Sequence, residues 1–323
     1  MHAAPKILGL AISYIVIAVI GIPANLTVIA VMLRRRCGLS GCTTVYLLSM
    51  AMTDLLVIIT GVILNRVVSM TLPSSFLNFS PACNVNVAGA FAVKDCSVWV
   101  MVMFTFDRFV AICCQHFKAK YCTERTAAVV IGTVSAISCF KNTFWGFIFA
   151  PPHSNEPTTC KVRPAFYTSP GWIAYDWIDV ILTPCLPIVL ILLFNFLTIR
   201  HIVRAIKTRR RLQGGGNSES QRDPETDNRR KSIVLLLSIS GIFIVLWILV
   251  LISVLYIRIA SVTYFTGSNF NDIAFLLEES GYMRQFLSSC VNPFIYAGTQ
   301  RKIRDEIKLG VKYPLTLINK FVK

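Results

Sequence analysis

Val98-Trp99-Val100-Met101-Val102-Met103-Phe104-Thr105-Phe106, closed by Asp107-Arg108, decides how this chain is built. The run from Val98 to Phe106 carries no charge, and then two opposite charges stand side by side. A charged side chain at the centre of a bilayer costs about 2.5–3.5 kcal/mol on insertion scales, so ionisable residues at the edge of a membrane-length segment mark function. A helix that merely ends in a solvated charge is the plainer reading of the pair alone. The rest of the chain must decide between the two.

Composition points to the membrane. Of 323 residues, 54% are hydrophobic and only 15% charged, against the roughly 25% charged of ordinary soluble domains. Apolar stretches near the ~20 residues that cross ~30 Å of hydrocarbon recur seven times, at 7–33, 44–69, 85–113, 126–150, 173–199, 232–257 and 273–297. The second, third and seventh are interrupted by charges. The pattern predicts an all-α membrane protein, a seven-transmembrane helix bundle.

Lys and Arg are retained in cytoplasmic loops, so their placement orients the bundle. Loop 34–43 carries Arg34, Arg35 and Arg36, loop 114–125 carries Lys118, Lys120 and Arg125, and loop 200–231 holds ten basic residues. Seven more follow Gly298, whereas the alternate loops and the N-terminal segment have only Lys6, Lys161, Arg163 and Arg258. This predicts a multi-pass membrane protein with a short extracellular N-terminus at 1–6 and a cytoplasmic C-terminus. The net charge of +16 then reads as topology and attraction to anionic lipid, with no nucleic acid needed. The first apolar run is too long for a signal-peptide core and has no cleavage site, so it reads as the first span.

Of eleven cysteines, only Cys83 and Cys160 fall on the oxidising face of this topology, which predicts a Cys83–Cys160 disulfide. Asn78-Phe79-Ser80 is a glycosylation sequon in the first outer loop, close to the membrane. Residues 213–228 contain no apolar side chain and predict the flexible part of a cytoplasmic loop at 209–228, set between basic helical extensions of the fifth and sixth spans. In the tail at 299–323, Ile303 and Ile307 share a helical face flanked by basic residues, predicting a short amphipathic helix on the inner leaflet.

Inside the membrane, Asp54 lies midway along the second span and needs a cation, a proton or hydroxyl partners. The polar residues available are Asn25, Ser97, Ser288, Ser289 and Asn292. Asn292 opens Asn292-Pro293-Phe294-Ile295-Tyr296, where proline frees a carbonyl and kinks the helix.

The ordered set Gly21-x-x-x-Asn25, Asp54, Cys83, Asp107-Arg108-Phe109, Cys160, Phe243-x-x-x-Trp247 and Asn292-Pro293-x-x-Tyr296 resembles the rhodopsin-like (class A) G-protein-coupled receptors over residues 7–308. The resemblance implies an activation path through Phe243, Trp247, Asn292, Pro293 and Tyr296 to Asp107, Arg108 and Phe109. Arg108 would be released to meet a heterotrimeric G protein. It also implies an allosteric sodium ion among Asp54, Ser97, Ser288, Ser289 and Asn292, and no other cofactor. Within the family, Gly21-Ile-Pro-Ala-Asn25, Ser97-Val-Trp99, Thr183-Pro-Cys185 and Phe243-x-x-Leu-Trp247 are similar to the orphan G-protein-coupled receptors 139 and 142. That branch implies peptide or aromatic amino-acid ligands and Gq-class coupling.

Some positions depart from the family pattern. Phe109 stands for the usual tyrosine, Leu249 for the usual proline, and the fourth span lacks its mid-helix tryptophan, the nearest being Trp145. Arg229-Arg230-Lys231 occupies the inner end of the sixth span with no acid to lock Arg108. The expectation is that restraint rests on Asp107 alone and basal signalling is raised.

Ala90 stands where amine receptors keep an aspartate, which argues against a biogenic-amine ligand, and no lysine occurs in 273–297, which excludes a retinal Schiff base there. Lys94 and Asp95 are the sharpest ligand candidates, suited to a carboxylate and an ammonium, although they could instead neutralise each other or pair with Arg284 or Asp179. Asp176, Asp179, Glu278 and Glu279 form a candidate acidic rim, with Arg66, Arg284 and Trp247 as further ligand candidates. Rival readings are a signalling-dead decoy receptor and, more remotely, a transporter or channel. No enzyme is expected, because all four histidines lie outside the spans.

Overall fold

The computed structural model of the chain describes residues 3–34, 39–72, 74–79, 81–149, 162–212, 224–259, 273–301 and 303–308. Seven long helices dominate them: α1 Ala3–Leu33, α2 Gly41–Thr71, α3 Ala82–Cys113, α4 Glu124–Phe147, α5 over 170–212, α6 Pro224–Ile259 and α7 Ile273–Thr299. Six helices, within α1 to α6, are long and apolar enough to cross a membrane. The seventh, α7, carries Glu278, Glu279 and Arg284, charges that the packing absorbs. An isolated antiparallel bridge joins Phe149 and Val162.

Polar caps set where several helices start. Ser40 accepts from the Thr43 amide to open α2, and Thr123 accepts from the Thr126 amide at 3.1 Å to open α4, satisfying amides that a first turn leaves unpaired. Two helices change winding: Ile58–Val67 within α2 and Ile181–Cys185 within α5 are π-helical. Pro184 lies in the second, where a missing amide favours such a bulge.

The core follows from α3 lying at the centre, packed against α2, α4, α5 and α6. Val100, Phe104, Leu47, Ile191, Leu235, Leu236, Ile239 and Tyr296 are almost completely buried there. Val19, Phe140, Phe147, Val245 and Phe294 instead point outward and exposed. Such apolar surface suits hydrocarbon, not water. Close approach of α1, α2 and α7 needs two glycines: a Cβ at Gly21 would stand 2.5 Å from Cys290 Sγ, and one at Gly61 would stand 2.6 Å from the Phe286 ring.

Two loop expectations change. Helix covers 224–228, inside the stretch expected to be flexible, and also 209–212, the basic helical extension of the fifth span, while 213–223 lie outside the described residues. Pro224 followed by Glu225 and Asp227 is a helix-start signature, which the absence of apolar residues had hidden. In the tail, residues 303–308 are helical as expected, but Ile303 is fully buried in the main core with Ile307 packed against it. That apolar face turns to the bundle, where it finds a shaped partner, and not to the leaflet.

Candidate functional site

A cavity of roughly 720 Å³, open mouth included, lies between α3, α4, α5, α6 and α7. Phe91, Lys94, Trp145, Asp179, Trp247 and Glu278 are among its walls. Trp145 stacks on Phe91 with ring centroids 4.4 Å apart, and Trp247 stacks on Phe243 at 5.3 Å. Both indoles are buried, and the Nε1 donor of each lacks a partner. Buried N–H groups without acceptors are rare in finished cores, and these two belong to residues that line the cavity.

Beside the cavity lies a closed ionic cluster. Asp95 is fully buried; it accepts from Asn142 Nδ2 at 2.7 Å and Thr183 Oγ1 at 2.9 Å and pairs with Lys141 at 2.5 Å. Lys141 also pairs with Asp179, whose other oxygen is 3.8 Å from Lys94 Nζ. Lys94 itself lies over the Phe91 ring at 4.1 Å. The π-helical turn in α5 presents Thr183 to both Asp95 and Asp179.

Several candidate residues therefore sit differently from expectation. Lys94, Asp179, Trp247 and Glu278 line the cavity, whereas Asp95, Ala90, Arg66, Asp176 and Arg284 are not among its walls. Asp95 and Lys94 do not neutralise each other; Lys141, a cation on α4 that sequence reasoning passed over, takes Asp95. Three of the four rim acids are held by cations, Asp179 by Lys141 as above. Asp176 pairs with Arg258 at 2.5 Å, and Glu279, 4% exposed, accepts from Arg66 at 2.8 Å and from Tyr14. Arg66 also covers the Tyr282 ring at 4.0 Å, and Arg284 reaches Ser253 Oγ at 3.3 Å. Water-poor surroundings force this pairing, because an isolated buried charge is too costly. Tyr167, at the loop end of this region, has its phenol pushed up to about 12 by burial and by Glu278.

Deeper in the bundle, Asp54 accepts from Ser97 Oγ and from Asn292 Nδ2, each at 2.7 Å. Ser289 is a further hydrogen-bonding neighbour. Asn25 instead donates to the carbonyls of Gly21 and Ser289, and Ser288 is buried without bonding Asp54. Tyr296 is fully buried, its hydroxyl against Met50 Sδ at 3.9 Å. Pro293 sits inside α7 without ending it. Leu249 is 41% exposed and α6 runs on through it. Nothing here asks α6 for a proline.

Lys94 and Arg108 are 14 residues apart on α3, about 21 Å at the helical rise. There Arg108, 6% exposed, pairs with Asp107 through Nη2 and through Nε at 3.0 Å. Phe109 stacks on Phe194 of α5 at 5.8 Å. In the adjoining loop, burial and the Asp107 carboxylate push the Cys122 thiol up to about 11, and burial raises Tyr121 too. Arg229, Arg230 and Lys231 are on α6, but their side chains lie outside the described set.

Cys83 is buried beneath Trp145 and, unlike eight other cysteines, is not a free thiol. Cys160 lies outside the described residues, so that pairing stays an expectation. Asn78 is half-buried and its Nδ2, the nitrogen a glycan would need, donates to Leu72 O at 2.8 Å.

A seven-helix membrane bundle with a cavity at one end and an ion-paired arginine at the other is the build of a transmembrane receptor. The profile of the 7 transmembrane receptor (rhodopsin family) matches residues 24–296, and the chain belongs to that family. It is a family of multi-pass membrane receptors, not of enzymes. No curated protein matches the chain at a significant level.

Proposed function

We propose that this receptor lies in the plasma membrane with its N-terminus outside, binds a zwitterionic small molecule or peptide terminus in the cavity, and transmits binding at Arg108 to a heterotrimeric G protein. The observation that carries the reading is Arg108: a buried cation, held by its neighbour Asp107, at the end of the bundle where the basic loops emerge. A charge-assisted bond to one adjacent carboxylate holds a long cation in one state and frees it in another. The excess of Lys and Arg in the loops at that end supports its cytoplasmic placement.

The cavity supports the ligand class. Lys94 offers a cation on one wall and Glu278 an acid on α7, between aromatic faces and indole donors that lack acceptors. Lys94 is only loosely engaged with Asp179 at 3.8 Å, so a ligand carboxylate can draw it away at modest cost. Glu278 takes the ammonium role that the sequence suggested for Asp95. The likeness to the orphan receptors 139 and 142 agrees with an amino-acid-like or peptide ligand and suggests the Gq class.

Sodium fits the Asp54 group, because one carboxylate with hydroxyls of Ser97 and Ser289 and the Asn292 amide supplies hard oxygen donors. Sodium would balance the Asp54 charge and favour the closed cage, so an agonist that collapses the cage opposes sodium by linkage. Expression with a panel of G-protein dissociation sensors, challenged with amino acids and short peptides, tests the function. A response lost in Arg108→Ala supports it, and identical behaviour of wild type and Arg108→Ala rejects it.

A further inference from the structure

Asp107 has two carboxylate oxygens, and the protein uses both. Oδ2 accepts from Arg108. Oδ1 accepts from Cys42 Sγ at 3.0 Å, a thiol 65 residues away in the chain and on a different helix. Cys42 is 2% exposed and is the second residue of α2. Its position is fixed from two sides. The Ser40 hydroxyl holds the first turn of α2 against Thr43 at 2.6 Å, and a side chain at Gly41 would collide with the Glu124 carboxyl at the start of α4. Residues 233–259 of α6 contain no acid, so that stretch of the neighbouring helix supplies no second carboxylate for Arg108.

We infer that Cys42 is a positioning residue for the arginine latch: its thiol fixes the Asp107 carboxylate in the orientation that retains Arg108. This rests on the reading of Arg108 as the residue that meets the G protein. A carboxylate is an acceptor only, and one bonded at a single oxygen is free to turn about its terminal torsion. A donor on Oδ1 stops that rotation and leaves Oδ2 aimed at the guanidinium. Because a thiol is a weak donor, the hold is modest and easily broken, as a switch requires. Restraint is therefore shared between α3 and α2, and Asp107 does not act alone as the sequence had suggested.

The contact can be seen without any G protein. In the purified full chain in lipid nanodiscs, the infrared S–H stretch isolated by subtracting Cys42→Ser should be shifted down by hydrogen bonding, and should move back up in Asp107→Asn. In cells, Cys42→Val keeps the volume but removes the donor. It should raise ligand-independent G-protein signalling about three- to tenfold, as expected for a hydrogen bond of about 1 kcal/mol. Cys42→Ser, which retains a donor, should stay near wild type, and Cys42→Val should add nothing in an Asp107→Asn background. A Cys42 band at the free-thiol frequency overturns the contact. A shifted band with Val and Ser variants signalling alike overturns the positioning role. If wild type and Cys42→Val both signal no more than Arg108→Ala, the G-protein reading fails, and with it the latch role, while the infrared band still decides the contact.

Discussion

Lys141 offers the sharpest test of the ionic cluster beside the cavity. It is the cation shared by Asp95 and Asp179, and Lys141→Met keeps a long apolar stem while deleting the charge. Removing one member of a buried ion pair costs about 3–5 kcal/mol, because the other member is left uncompensated. Two features reduce that here: Asp95 keeps its bonds from Asn142 and Thr183, and Lys94 is 3.8 Å from Asp179 and can close on it. A loss of about 2–3 kcal/mol remains, and at roughly 2–4 °C per kcal/mol this lowers Tm by about 5–10 °C. Intrinsic tryptophan fluorescence of the receptor in nanodiscs during heating measures it. Adding Asp95→Asn to Lys141→Met removes the uncompensated acid and should recover at least half the loss. A Tm within about 2 °C of wild type for Lys141→Met, or no recovery in the double variant, would refute the reasoning.

Other outcomes follow from the packing and the charges. Gly61→Ala drives a methyl into the Phe286 ring and should cost about 1–3 kcal/mol as overpacking, measured as a lower Tm, whereas Gly89→Ala, with open space at its Cβ, should not. Glu279→Gln leaves Arg66 without its acid and should destabilise the α1–α2–α7 contact by about 3 kcal/mol; combining it with Arg66→Met should return much of the loss. Cys122, held up at about 11 by burial and Asp107, keeps its proton at neutral pH. Because the thiolate is the nucleophile, its alkylation in the folded receptor should climb about tenfold per unit through pH 8–10, where an ordinary thiol levels off; levelling near pH 9 would contradict it.

The bundle was legible because hydrocarbon imposes a length and an apolar composition on every span, and that signal needs no partner residue to be read. Helix starts were less so. Ser40 and Thr123 cap helices with polar side chains, so α2 begins at Gly41 and α4 at Glu124, each a turn or less before the apolar signal. The π-helical turn at Pro184 leaves a proline as its trace, but Ile58–Val67 leaves no comparable mark, and its winding has no evident physical cause. The polar residues around Asp54 could be named in advance, yet which of them bond depended on helix rotation: Asn25 and Ser288 turn elsewhere. Charge partners were the least legible, because Lys141, Asp95 and Asp179 lie on three helices and no local spacing connects them. The same holds for Cys42, whose role depends on which residue of α3 faces the start of α2.

Nucleotide exchange on a purified heterotrimeric G protein, driven by the purified receptor in nanodiscs, tests the central claim most directly. The account predicts exchange above empty nanodiscs for the wild type, raised by ligand and abolished by Arg108→Ala. Exchange that Arg108→Ala leaves intact would contradict it.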